Sequence, residues 1–198
     1  MRTHNARVLT LGALIVAVAS AAVLAKIKVQ VDHDPSFDFG TLHTWTWHPN
    51  GPGNARVVIT KDDDSAAFKK QFEPRLLPVV EAELARKGFP KAGVGEPDFY
   101  VTYYVLVTAG TQDQSIGQFV PGSAWGIPLL PPATSSLKVF PQGALILDIT
   151  PRAQGEVVWR GVAYAEVKWD DAQAKRDQRV RDAVQELLKQ FPPKAGKK

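Results

Sequence analysis

Hydrophobic and polar residues alternate at the start of the chain's first patterned stretch. Ile27, Val29 and Val31 stand against Lys28 and Gln30, a period of two that predicts a half-buried strand over residues 27–31. Pro35 and Gly40 interrupt it. A second strand is expected over residues 41–47, with Leu42, Thr44 and Thr46 on one face and His43, Trp45 and Trp47 on the other. Residues 49–54 (Pro-Asn-Gly-Pro-Gly-Asn) form a turn-rich connection, and residues 57–59 fit a short extra strand. The period then changes. Leu77, Val80 and Leu84 recur at three- and four-residue spacing, one apolar stripe of a helix. That helix starts at Asp62, Asp63, Asp64 and Ser65, where the positive end of the dipole favours carboxylates, and stops at Gly88. Pro74 and Pro78 predict a kink or two consecutive pieces, because proline removes a donor and crowds the preceding turn.

Period two returns at residues 99–108. Phe99, Val101, Tyr103, Val105 and Val107 share one face; Tyr100, Thr102, Tyr104 and Leu106 share the other. Residues 109–142 differ in kind, a Gly/Pro-rich loop with four prolines from Pro121 to Pro132. Strands are expected at 144–149 and 156–169, joined in a hairpin by Thr-Pro-Arg-Ala-Gln-Gly. Asp170 is the expected cap of a last helix, whose buried stripe is Val180, Val184, Leu187 and Phe191 and whose end is Pro192 and Pro193. The fold class is therefore α+β: a single, mostly antiparallel sheet of about five strands, with two helices packed on one face, in the order ββαβββα.

Ahead of this domain, Arg2 and Arg7 precede residues 8–25, which carry no charge and end in small residues. Those are the parts of a secretory signal with cleavage after Ala25, and the alternative is an uncleaved anchor. The expected organisation is a signal at 1–25, one domain at 26–193 and a basic tail at 194–198. Localisation is expected to be periplasmic or otherwise exported, with inner-membrane anchoring if residues 8–25 are retained. The formal charge is +4 over 198 residues. Cleavage removes two arginines and no acid, leaving a nearly neutral chain, which argues against a nucleic-acid partner. The absence of cysteine excludes disulfides, thiolate metal sites, a cysteine nucleophile and an N-terminal lipid-bearing Cys.

Several segments carry a family resemblance. Val29-Gln30-Val31-Asp32-His33-Asp34-Pro35-Ser36-Phe37-Asp38-Phe39, followed by Thr44-Trp45-Thr46-Trp47, resembles the opening of the bacterial domain-of-unknown-function 4136 family. Glu81 to Phe89, Pro97-Asp98-Phe99, Gly143 to Ile149, Val157 to Gly161 and Phe191-Pro192-Pro193 follow in the same order, so the resemblance covers residues 27–193. It implies an envelope protein, often a lipoprotein, with an α+β domain and no assigned activity. This chain departs in lacking the lipid-bearing Cys, and the family supplies no catalytic residues.

Candidate chemistry is sparse. His33, Asp34 and His43 are the candidate residues of an alternative small-molecule-binding or metal-dependent hydrolytic site, in a stretch that also holds Asp32, Asp38 and His48. Against it, His43 and His48 are five apart on an expected strand, Phe37 stands where a calcium loop needs Gly, and Asp32 and Asp34 beside Pro35 are ordinary turn formers. Trp45 with Trp47, and Tyr100 with Tyr104, share faces that suit either ring stacking or packing, and packing is the expectation. Residues 175–182 mix charge signs as a solvated face does, with an anionic partner as the alternative. The tail lysines could meet anionic lipid heads or form a plain disordered end. No nucleophile elbow or phosphate loop is present. The expectation is a non-enzymatic, cofactor-free domain that binds another envelope component, protein or otherwise, through Phe119, Trp125, Ile127, Leu129 and Leu130 of the loop or through an exposed sheet face.

Overall fold

The alternation at Val29 and Val31 becomes strand β1 (Lys28–His33), the first element of a computed structural model that describes residues 27–58, 64–108, 114–115, 138–139, 143–165, 167 and 171–194. A short 3-10 turn (Phe39–Thr41) follows, then β2 (Trp45–Trp47), β3 (Gly53–Val58), helix α1 (Ser65–Arg86) and β4 (Phe99–Thr108). Two dipeptides, β5 (Gln114–Ser115) and β6 (Lys138–Val139), pair antiparallel with each other. The chain ends in β7 (Ala144–Pro151), β8 (Trp159–Tyr164) and helix α2 (Gln173–Leu188).

The main sheet runs β1-β8-β7-β4-β2, with β3 also on β4. The pairs β1/β8, β8/β7 and β7/β4 are antiparallel, while β2 and β3 lie parallel to β4, one after the other along the same edge. The α+β expectation holds, in an open mixed sheet. The parallel pairing follows from α1, which carries the chain back so that β4 starts again at the end where β2 began.

Five local expectations are corrected. The second strand covers only Trp45–Trp47. Asp38 caps the 3-10 turn through the Gly40 N–H (2.9 Å), and Asp98 Oδ2 takes the N–H groups of His43 (3.0 Å) and Thr44 (2.8 Å), so these donors serve a carboxylate and not a ladder. The extra strand, β3, is longer than expected and starts at Gly53. Helix α1 runs unbroken through Pro74 and Pro78, both exposed, so the missing N–H groups fall on the solvent side. Its buried stripe is Leu76, Val80, Glu83 and Leu84, with Leu77 only half-buried. Helix α2 has Ala172 at its N-cap with no side-chain bond; Asp170 lies outside the described residues.

Both helices pack on one face of the sheet. Its large side chains gather at one end, where Phe191, past α2, sits among Phe89 (5.2 Å between ring centroids), Trp159 (5.3 Å), Phe99 (5.9 Å) and Phe39 (6.3 Å). The register shows a taper across this face. The row His33, Trp159, Ile149, Val101, Trp47 is bulky, whereas two residue pairs further along the row is Val29, Ala163, Leu145, Val105, Ala55. Less side chain stands there to fill the space under the helices.

On the other face, Tyr104, Leu106, Ala144, Ile146, Val162 and Tyr164 are buried, together with a cross-strand ion pair. Asp148 and Arg160 are joined by two charge-assisted bonds, Nε to Oδ1 at 2.7 Å and Nη2 to Oδ2 at 2.6 Å. Arg160 points away from the helices, and its side chain is only 11% exposed.

Candidate functional site

Of the histidine and aspartate residues picked out from the sequence, Asp34, Asp38 and His48 serve turns. His33 is exposed at the end of β1, its ring edge-on to Phe39, and its N–H donates to Asp32 Oδ1 (2.9 Å). Asp34 Oδ1 accepts from the Ser36 hydroxyl (2.6 Å) and N–H (2.8 Å), and these bonds hold its carboxyl below the usual range. His43 is exposed just before β2, at the sheet edge opposite β1. His48 turns its Nδ1 to the Asn50 N–H (3.2 Å) and its ring edge to Tyr100. Among the described residues, no three His, Cys, Asp or Glu side chains come together in a group able to hold a metal ion.

The two tryptophans pack. Trp45 is fully buried and donates Nε1–H to the Phe89 carbonyl (3.1 Å), while half-buried Trp47 donates to Glu81 Oε1 (2.8 Å). Burial raises the Glu81 carboxyl, but the bonds from Lys91 and Trp47 outweigh it and leave it below its ordinary value. Tyr104 lies inside the opposite face, where burial, and then the Asp148 charge, pushes its hydroxyl up to about 12. Phe119, Trp125, Ile127, Leu129 and Leu130 lie outside the described residues.

The concave site is elsewhere, at the small-residue end of the taper. A cavity of about 280 Å³ opens between α1 and α2 over β4, β7 and β8. Its floor is Val105, Val107, Gly143, Ala144, Leu145 and Ala163. One wall is the α1 face bearing Phe68 and Phe72, whose rings stack 5.4 Å apart, together with Gln71 and Arg75; the spacing i, i+3, i+4, i+7 turns all four the same way. The facing wall is α2, with Gln173, Arg176, Val180 and Ala183 at i, i+3, i+7, i+10 and Arg179 beside them.

The lining is apolar below and cationic above. Among the described residues, three guanidiniums, Arg75, Arg176 and Arg179, border the cavity, and no carboxylate does. Acids stand behind them. Arg75 Nη1 lies 3.9 Å from Asp177 across the two helices, Arg179 pairs with Asp171, and Arg176 donates to Gln173 Oε1 (2.7 Å). An apolar basin under a positive rim can take up an elongated apolar group and hold a negative charge at its mouth.

The charge pattern of residues 175–182 reads from sequence as a solvated face, and Arg176, Arg179 and Val180 instead border this cavity. The signal that points to it is the set of small residues at inward positions, Ala163 and Ala183 with Gly143, beside an otherwise bulky core.

A family model for a domain of unknown function, DUF4136, matches residues 29–193. No curated protein matches the chain. Among solved structures, a DUF4136 family protein from Bacteroides thetaiotaomicron is 14% identical with a TM-score of 0.49, over 84% of this chain and 96% of that one. A PDZ domain protein from Parabacteroides distasonis is 16% identical with a TM-score of 0.45, over 85% of this chain and 36% of that one. A PelC dodecamer from Paraburkholderia phytofirmans is 7% identical with a TM-score of 0.35, over 82% and 96% respectively. Among the described residues no helix is long and apolar enough to cross a membrane.

Proposed function

The chain belongs to the DUF4136 family of domains of unknown function, and from that premise we propose that it is an exported, non-enzymatic binding domain of the cell envelope whose site is the cleft between α1 and α2. Export is supported by the basic start and the charge-free stretch at residues 8–25. The observation that carries the binding role is the cleft itself: about 280 Å³ of apolar space under three arginines, beside a core packed with large side chains. The polar groups elsewhere suit a scaffold better than a reaction centre. Asp148 is held by Arg160, Glu83 by Arg86 and Asp98 by the main chain. The component bound is one found in the envelope, and it enters over Val105 of β4, Leu145 of β7 and Ala163 of β8.

The test has two readouts. Full-length chain with a C-terminal tag is expressed in a Gram-negative host and fractionated, and the mass of the recovered species is measured. A product beginning at Lys26 in the periplasmic fraction is expected; an intact chain in the cytosol overturns export. The purified product is then titrated with the neutral dye Nile red. Saturable one-to-one fluorescence enhancement, abolished by Ala183→Phe at an unchanged unfolding midpoint, is expected. No enhancement, or enhancement indifferent to Ala183→Phe, overturns the cleft as the site.

A further inference from the structure

We propose that the cleft takes a single-chain amphiphile with a carboxylate head, a medium-chain fatty acid, an assignment that rests on the cleft being the binding site. Three observations select this class. The first is size. At about 280 Å³ the cleft lies at the small end of the range for ligand pockets, which suits one short acyl chain. The second is the lining. Phe68, Phe72, Val105, Leu145, Ala163 and Val180 offer a chain apolar contact along its length, while the polar side chains of the lining are Gln71, Gln173 and the arginines of the two helices.

The third is charge. Among the described residues the charged groups lining the cavity are three guanidiniums, with Asp177 and Asp171 paired to Arg75 and Arg179 behind them, so an anionic head group meets charged donors there that a cationic one cannot use. Two of these arginines already face carboxylates of the protein, Arg179 with Asp171 and Arg75 with Asp177. The planar guanidinium fork matches the planar carboxylate, and Arg75 and Arg179 stand on opposite walls, so a head group at the mouth is reached from both helices. The acyl chain then points along the floor toward Val105 and Leu145.

Calorimetric titration of the full exported chain tests the assignment with four probes: decanoate, decyltrimethylammonium, decyl phosphate and acetate, each below its micelle concentration. Decanoate is expected to bind one-to-one and displace Nile red, at least tenfold more tightly than decyltrimethylammonium, with acetate giving no saturable heat. Arg75→Gln and Arg179→Gln should each weaken decanoate at least threefold. If decanoate and decyltrimethylammonium bind alike, or decyl phosphate binds more tightly than decanoate, the carboxylate assignment is overturned while Nile red binding keeps the cleft as the site. If neither decanoate nor Nile red binds, both readings fall. The comparison of head groups on the unaltered chain stands even where an arginine variant fails to fold.

Discussion

Asp98 shows how one side chain can replace a stretch of ladder. Its Oδ2 accepts the N–H of Thr44 (2.8 Å), the N–H of His43 (3.0 Å) and the Thr44 hydroxyl (3.2 Å), while the Asp98 and Phe99 N–H groups return to the Thr44 carbonyl (2.9 and 3.2 Å). The bond from the Thr44 N–H, helped by that of His43, holds the carboxyl below its ordinary value. A carboxyl whose folded pKa lies below its unfolded one stabilises the fold above the unfolded pKa, about 4, and that contribution is lost as pH falls through the folded value. Asp98→Asn keeps an oxygen acceptor but removes the titration, so the urea midpoint should fall less steeply between pH 4 and pH 2 than in the parent. An equal slope in both proteins would mean that Asp98 does not contribute. Asp148 obeys a different rule, because it is buried and paired: burial pushes its carboxyl up, and Arg160 pulls the other way. Breaking such a pair leaves a buried charge, and Asp148→Ala should cost about 3–5 kcal/mol in chemical denaturation. The double change Asp148→Val with Arg160→Leu should recover most of that loss, since apolar groups of similar volume substitute well for a buried ion pair.

At the level of elements, the capping of α1 is a local and measurable device. Asp64 Oδ1 accepts the N–H groups of Ala66 and Ala67, both at 2.9 Å, so Asp64→Ala should lower stability by about 1 kcal/mol, read as a shift in denaturation midpoint with an unchanged slope. The helix start at residues 62–65 was readable from the sequence, as were the β4 bounds and the Gly88 stop, because each depends on near neighbours or on an unbroken period. Gly88 has a φ of 91°, which L side chains rarely adopt, so its stop signal is a backbone requirement. Elements decided by distant partners were not readable. The shortened β2 depends on Asp98, fifty-four residues from Thr44, and the unbroken α1 depends on which side of the helix meets solvent at Pro74 and Pro78. The histidine and aspartate cluster was legible as turn chemistry, with a ligand set as the lesser alternative, and the placing of β1 and β2 on opposite sheet edges sets His33 apart from His43. The cleft was hidden for a related reason. Ala163, Leu145, Val105 and Ala183 come together through strand register and helix docking, and the small residues among them mark a cleft only once that register is known.

Across the whole molecule, the sheet's taper sets stability against binding. The bulky end is filled by Phe191, Trp159 and Ile149, and Gly161 exists there because the Trp159 ring lies over it: a Cβ would come within 2.4 Å of the indole and 2.9 Å of Leu187. The small-residue end gives up that packing, and its half-buried Phe68 and Phe72 remain partly wet. If the cavity were only a packing defect, filling it would stabilise the protein with no other consequence. If it is the site, filling it should separate two measurements. Ala183→Leu projects from α2 into the space and should raise stability by about 0.5–2 kcal/mol, the usual return for a filled void. The same change should abolish the Nile red and decanoate signals. A variant that gains stability and still binds both probes would place the ligand outside the helices. A variant that loses stability as well as binding would show the space to be tighter than 280 Å³ suggests, with the added methyls forced against Val105 and Leu145. Gain with loss of binding is the outcome expected when an arrangement of small residues is kept open for a guest, since the guest then supplies the contacts that the core gives up.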